Sequence, residues 1–169
     1  NNSSSAGSVS GPGHVGGLVG QANGGGGFSG DTSSAAVTNP GIGGYVGGLV
    51  GYFNNSGGLT GSSNVTTATG NVSGGNRTGG LVGYYAGGGS AANVSASGSV
   101  AGDAYVGGLI GDFVSSGDLT NAMATGNVTA RDIAGGLVGS FYNAGNASLL
   151  QATGNVTSTA GYAGGLFAL

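Results

Sequence analysis

An all-β solenoid (β-helix), with one coil per repeat of about 28 residues and five to six coils, is the fold this sequence predicts, and three observations predict it. The first is a recurring phrase. Gly-Gly-Leu-Val-Gly, or a near copy, begins at Gly16, Gly47, Gly79, Gly107, Gly135 and Gly164, at steps of 31, 32, 28, 28 and 29 along the chain. A fixed period of this size marks a stacked architecture in which no unit buries its apolar face alone. The second is an alternation of apolar and polar residues inside each repeat, the mark of strands whose two faces differ. The third is composition: 44 of 169 residues are glycine and 38% are hydrophobic, while Lys+Arg number 2 and Asp+Glu 5. Disorder goes with low hydrophobicity or high net charge, and neither holds here, so an ordered backbone-dominated β structure fits best.

The elements follow in chain order within one domain spanning 1–169. Residues 1–14 read as an N-terminal half-coil and loop, because Gly7-Ser8-Val9 lies nine residues before Gly16, the interval that later repeats keep. Residues 15–45 form a degenerate first repeat that contains the Gly24–Gly27 run and Pro40. Residues 46–162 are the regular repeats. There a second phrase, Thr/Ser-Gly-Asn/Ser-Val, places glycines at Gly70, Gly98, Gly126 and Gly154, evenly spaced at a step of 28. Repeat two is longer by about four residues, assigned to a loop within Asn54–Ser63. Residues 163–169 read as a C-terminal half-coil. The chain begins at Asn1 rather than Met, as a processed or excised piece would.

Around the second phrase, Ala68, Ala96, Ala124 and Ala152, then Thr66, Val94, Ala122 and Leu150, then Val72, Val100, Val128 and Val156 share one parity and are expected to point inward. The opposite parity carries Thr, Ser and Asn and reads as an outward polar ladder. The Gly-Gly-Leu-Val-Gly segment, read as one strand, differs. One parity carries Leu49, Leu81, Leu109 and Leu137 with Phe53, Tyr85, Phe113 and Phe141; the other carries Val50, Val82, Ile110 and Val138 with Tyr52 and Tyr84. Two apolar faces imply a strand covered on both sides. The second stripe is therefore expected either to pack laterally on another copy or to lie under a loop of the same chain.

Several chemistries are excluded. Two arginines give no basic footprint for nucleic acid, and no stretch approaches the length of a membrane-spanning helix, so neither nucleic-acid binding nor membrane insertion is expected. Zero cysteine excludes disulfides and thiolate metal sites. Gly11-Pro12-Gly13-His14-Val15-Gly16 matches a dinucleotide fingerprint literally, yet no βαβ unit follows. His14 is the lone histidine, in a column with Tyr45, Arg77, Tyr105, Ile133 and Tyr162, and reads as structural. Asp112 and Asp118 read as loop carboxylates rather than cation ligands. Asp103 and Arg131 share a column and are expected to pair. No catalytic residue, cofactor or metal is assigned, and the chain reads as a non-enzyme.

Sequons occur at Asn64, Asn71, Asn76, Asn93, Asn127, Asn146 and Asn155. Of these Asn71, Asn127 and Asn155 share one outward column, which reads as a self-bonding amide ladder or as glycosylation acceptors.

Val-Gly-Gly-Leu-Val-Gly at Val15 and Val46, with Tyr52-Phe53 and Ala-Thr-Gly-Asn-Val at Ala124–Val128, resembles the GLUG motif over nearly the whole chain. That motif occurs in large secreted bacterial surface proteins, filamentous-haemagglutinin-like adhesins among them. The resemblance implies an extracellular β-solenoid stalk or fibre at the cell surface, with host surfaces or glycans as partners and no catalytic residues. The expected role is a structural subunit that stacks head to tail, Leu166, Phe167 and Leu169 of one copy being continued by Ser8 and Val9 of the next. The alternatives are an adhesin stalk fragment and an ice-binding protein that uses the outward Thr/Ser/Asn ladder.

Overall fold

The structure is a computed structural model that describes residues 2–61, 65–143 and 145–169. The described residues form strands, turns and bends with no helix, and the strands stack in parallel into about six coils. Each coil visits four sheets, named A to D in the order the chain meets them. In coil 4 these strands are Ala91–Ala96, Val100–Gly102, Tyr105–Gly107 and Ile110–Ser115. Sheets B and C hold six strands each and sheet D five; sheet A holds seven because coil 3 contributes Leu59–Thr60 and Thr66–Ala68 separately.

Register is uniform where the sequence is regular. Val100 pairs with Val128 and Val128 with Val156; Ala96 pairs with Ala124 and Ala124 with Ala152. Like residues therefore lie over like, which lets β-branched side chains and rings pack against copies of themselves. Phe53, Tyr85, Phe113 and Phe141 form one such column, and Phe167, which pairs in register with Val138, adds its ring to the end of the pile; successive centroids are 4.6 to 5.4 Å apart.

Irregularities sit in loops. Leu59 pairs with Ala91, a step of 32 along the chain, whereas Thr66 pairs with Val94, a step of 28. The four extra residues of coil 3 thus fall between Thr60 and Thr66. The expected loop at Asn54–Gly58 instead follows the regular path: Asn54 is paired with Ala86 at the end of its strand, and Ser62 and Ser63 lie outside the described residues. Coil 2 carries its own extra turn between Thr38 and Tyr45. Asn39 holds it, donating from Nδ2 to Gly13 O and Gly43 O, both at 2.9 Å, and accepting from Gly41 N at 2.7 Å.

The core has two compartments. Sheets A and D enclose Leu49, Leu81, Leu109 and Leu137 with the ring pile; sheets B and C enclose Val37, Val72, Val100 and Val128 with Val46 and Val106. The inward and outward parities expected around the second phrase hold, with the glycine of that phrase at the corner between A and B.

The first phrase is a corner too, and this corrects the reading of it as one strand. The sheet C strand Tyr45–Gly47 ends at the phrase, Gly48-Leu49 is a bend, and the sheet D strand begins at Val50. Because the chain turns between them, Leu49 and Val50 both face inward. Val50, Val82, Ile110 and Val138 are fully buried by their own chain. They form no lateral contact surface. The glycines of the phrase let sheets C and D touch backbone to backbone. A Cβ on Gly47 would lie 2.8 Å from both Gly83 N and Leu81 O, and one on Gly51 would lie 2.7 Å from Tyr45 O.

One backbone column went unread in the sequence. At the sheet A side, Asn2 and Gly30 lie in register in coils 1 and 2, and Asn93, Asn121 and Leu149 in coils 4 to 6, with φ of 72, 66, 54, 47 and 56°. This left-handed conformation suits Gly and Asn and disfavours a bulkier residue.

Candidate functional site

Two features of the surface are candidates for function: the ends of the stack and an aromatic column along the outer side of sheets C and D.

At the N-terminal end Ser4–Ser5, Ser8–Ser10, Val15–Gly16 and Val19–Gly24 are the edge strands of sheets A to D. Ser8 is exposed, and Val9 is half-buried against the sheet B–C core. The segment expected to be a half-coil thus supplies the A and B strands of coil 1. Asp31 braces this end: its buried carboxylate accepts from Ser3 N at 2.7 Å and Ser29 N at 3.0 Å. At the other end, coil 6 places Ala147–Ala152, Val156–Ser158 and Tyr162–Gly164 at the edges of A, B and C. Phe167 reaches sheet D by a single bridge to Val138 and stacks on Phe141. Leu166 and Leu169 are exposed, and Leu169 O accepts from Phe141 N at 3.0 Å. Leu149 and Tyr162 are 78% and 64% exposed. Peptide groups along these edges lack strand partners on one side, the condition under which a sheet accepts another strand.

The aromatic column combines two ranks. Sheet C supplies Tyr45, Arg77 and Tyr105, with His14 in the bend just before its first strand, and sheet D supplies Tyr52, Tyr84 and Asp112. The glycine corner brings the two sheets close enough for the ranks to interleave. Tyr45 lies 4.6 Å from His14, 5.4 Å from Tyr52 and 4.9 Å from Tyr84 between ring centroids, and Tyr52 lies 5.5 Å from Tyr84. All of these pairs are near parallel. Arg77 sits 5.4 Å from the centroids of Tyr45, Tyr84 and Tyr105, and its Nε donates to Asp112 Oδ2 at 2.6 Å. Arginine thereby gains ring contacts and an ion pair together.

The Asp112 side chain is only 7% exposed, and its Oδ1 accepts no hydrogen bond. Burial pulls the Arg77 pKa down, but the hydrogen bond and charge of Asp112 outweigh it and the net shift is upward. Burial raises the Tyr84 pKa, reinforced by Asp112. Of the stripe expected to face a neighbour, only Tyr52 and Tyr84 reach solvent, half-buried within this stack. The clustering of Tyr52 with Tyr45 was hidden in the sequence because the two belong to different sheets.

The remaining candidates serve the backbone. Arg131 pairs with Asp103 at 2.6 Å, as the column predicts, and with Asp132 at 3.0 Å. Asp118 Oδ1 accepts from Asn146 N at 2.7 Å. Asn71, Asn127 and Asn155 are exposed, but their ladder runs through the backbone: Asn71 Oδ1 accepts from Ser99 N at 2.9 Å and Asn127 Oδ1 from Asn155 N at 3.0 Å. The side-chain amide ladder lies in the left-handed column instead, where Asn121 Nδ2 donates to Asn93 Oδ1 at 2.6 Å. The sequon at Asn64 lies outside the described residues. Among the described residues no cluster of three metal-ligating side chains occurs, and no helix is long and apolar enough to cross a membrane. Comparison with protein-family models, with curated proteins and with solved structures finds no match.

Proposed function

We propose that this chain is an extracellular structural protein, a subunit of a surface fibre that grows by stacking one solenoid end on another. The observation that carries this reading is the state of coil 6. Inward columns that are fully buried where a further coil lies over them are open there: Leu109 and Leu137 are 0% exposed and Leu166 is 37% exposed, and Ala152 and Val156 are half-buried where Ala124 and Val128 are buried, beside unpaired sheet edges. The two ends differ, so their contact is heterologous, and because each added coil advances along the stack rather than turning back on it, the contact extends into an open filament. The resemblance of the repeat to the GLUG motif of secreted surface proteins supports the location. The adhesin-stalk reading uses the same rod as a spacer.

Gly165 supplies the test. In its column, a Cβ on Gly17, Gly48, Gly80, Gly108 or Gly136 would fall far inside van der Waals contact of the carbonyl in the following coil, whereas a Cβ on Gly165 meets nothing within 4 Å. Gly165→Ala is therefore harmless to a lone chain and obstructs a coil laid upon it. Wild type is expected to form fibres in negative stain and to sediment faster as concentration rises; Gly165→Ala is expected to stay monomeric, and to melt at the wild-type temperature at concentrations low enough that both are monomeric. A wild type that stays monomeric at high concentration sinks the proposal, and so does a Gly165→Ala chain that assembles equally well.

A second reading has one supporting feature. Thr69, Ser97, Thr125 and Thr153 form an exposed rank in register beside Asn71, Ser99, Asn127 and Asn155. Such a rank on a regular β face would suit ice binding, and an absence of thermal hysteresis dismisses it.

A further inference from the structure

The aromatic column also carries a chemistry that assembly does not use. Tyr45 and Tyr52 belong to coil 2 and Tyr84 to coil 3, and the three rings lie mutually within 5.5 Å at interplanar angles of 7 to 22°. Each is half-buried, so the rings are held by their neighbours yet reach solvent. The other tyrosines are placed differently. Tyr85 is fully buried in the ring pile, Tyr105 meets the guanidinium of Arg77 as Tyr45 and Tyr84 do but is not one of the stacked rings, and Tyr142 and Tyr162 stand exposed at the C-terminal end.

We propose that Tyr84 and its coil 2 neighbours Tyr45 and Tyr52 are an oxidative coupling site, at which a haem peroxidase acting with hydrogen peroxide joins coil 2 to coil 3 through a biaryl bond. Each of two phenols gives one electron to the peroxide-derived oxidant and releases its hydroxyl proton to water. The two ring radicals join through their ortho carbons. The hydrogens on those carbons then leave as protons, as both rings regain aromaticity and both hydroxyls are restored. In sum two ring C–H bonds are replaced by one C–C bond, and one hydrogen peroxide is reduced to two waters. Holding the rings side by side makes coupling within the chain faster than coupling between chains, because encounter and orientation are settled before oxidation. The bond would span the joint between the two coils that carry extra loop residues, where register is least uniform.

The positions of the two arginines make the test direct. With no lysine in the chain, trypsin cuts after Arg77 and Arg131, giving fragments 1–77, 78–131 and 132–169. Tyr45 and Tyr52 fall in the first fragment and Tyr84 in the second. Folded protein is treated with peroxidase and a limiting amount of peroxide; the monomer is isolated, denatured, digested and weighed. The expected product is fragment 1–77 fused to 78–131, lighter than the pair by two hydrogen atoms and showing biaryl fluorescence. Tyr84→Phe, which keeps the ring but not the phenol, is expected to lower the fused product at least about ten-fold, and Tyr105→Phe to leave it unchanged. The proposal is overturned if the monomer contains no fused fragment, if Tyr84→Phe leaves its yield intact, or if all coupling occurs between chains through Tyr142 and Tyr162. None of these results depends on whether the chain forms fibres.

Discussion

Coil 4 and coil 6 carry the same columns in different surroundings. In coil 4 Leu109 is 0% exposed and in coil 6 its counterpart Leu166 is 37% exposed; Val100 is buried and Val156 is half-buried. Each coil is one layer thick, so nothing in a coil covers its own side chains from above or below. Burial here is a property of the stack. Stability should then behave as a sum of coil terms and nearest-neighbour interfaces, and one substitution should have two different costs depending on whether a coil lies over it.

The widest gap is expected at the corner glycines. A Cβ on Gly108 would collide with Gly136 O and lie 2.9 Å from the Ala124 Cβ, whereas one on Gly165 meets nothing within 4 Å. Gly108→Ala should cost about 3 kcal/mol or more through overpacking. That is roughly a 10 °C fall in Tm for a chain of this size. Gly165→Ala in monomeric protein should stay within about 0.5 kcal/mol of wild type. Equal melting temperatures for the two variants would remove the stacking account of the phrase. Next come the leucines: Leu109→Ala should cost about 2–5 kcal/mol. Leu166→Ala should cost about 1 kcal/mol, since much of its side chain is already wet. Urea midpoints of the two variants measure the difference. If Leu166→Ala costs as much as Leu109→Ala in a sample shown to be monomeric, coil 6 is covered by something other than a further coil.

The repeat, its strand parity and the inward ranks of Ala and Val were legible because a parallel in-register stack places like residues over like, so columns in space are columns in sequence. The corner at Gly48-Leu49 was not. Alternation continues unbroken through the bend, and nothing in Val-Gly-Gly-Leu-Val-Gly distinguishes a strand with two apolar faces from two strands that share a turn. The aromatic stack was hidden for the same reason: Tyr45 and Tyr52 meet only once the chain has folded back at the phrase between them. Arg77 with Asp112 was equally unreadable, since they occupy different columns in different sheets. Asp103 with Arg131 share a column, and the alignment alone predicted them.

A smaller effect separates a buried phenol in coil 3 from the exposed ones. Tyr85 lies in the ring pile, donating to Ser90 O at 2.9 Å and Gly89 O at 3.0 Å and accepting from Leu59 N at 3.3 Å. Burial pushes its pKa up, opposed only in part by the Leu59 N–H. A phenol whose folded pKa exceeds its unfolded value contributes stability that is whole below the unfolded value, about 10, and is lost as pH rises toward the folded one. Tyr84 acts in the same direction. Thermal stability should therefore be flat through the neutral range, where few groups titrate, and fall above about pH 10. Tyr85→Phe should melt lower at neutral pH, having lost its hydrogen bonds, and show a shallower alkaline fall. A wild-type Tm that is unchanged across the alkaline range would mean that Tyr85 is not sealed in the pile.

The smallest expected effect lies at the end of the left-handed column. Asn93 and Asn121 hold that conformation with amides that bond along the stack, Asn93 Nδ2 reaching Gly61 O at 2.5 Å and Asn121 Nδ2 reaching Asn93 Oδ1 at 2.6 Å. Leu149 occupies the next rung at φ 56° with its side chain in solvent, so it bears the steric cost of the conformation, returns no hydrogen bond and buries little. A left-handed non-glycine residue costs about 1–2 kcal/mol, and less for Asn, whose short amide is tolerated there. Leu149→Asn should relieve part of that cost and extend the ladder to Asn121 Oδ1. A gain of about 1 kcal/mol is expected, a rise of roughly 2–4 °C in Tm. Asn121→Leu, one coil below, should lose at least as much, since it strains the backbone and strips Asn93 Oδ1 of its donor. Measured together, the two variants separate backbone conformation from stacking. If Leu149→Asn gains nothing while Asn121→Leu is destabilised, the rung matters only where a coil lies above it, and the nearest-neighbour account extends from the core to the surface ladder.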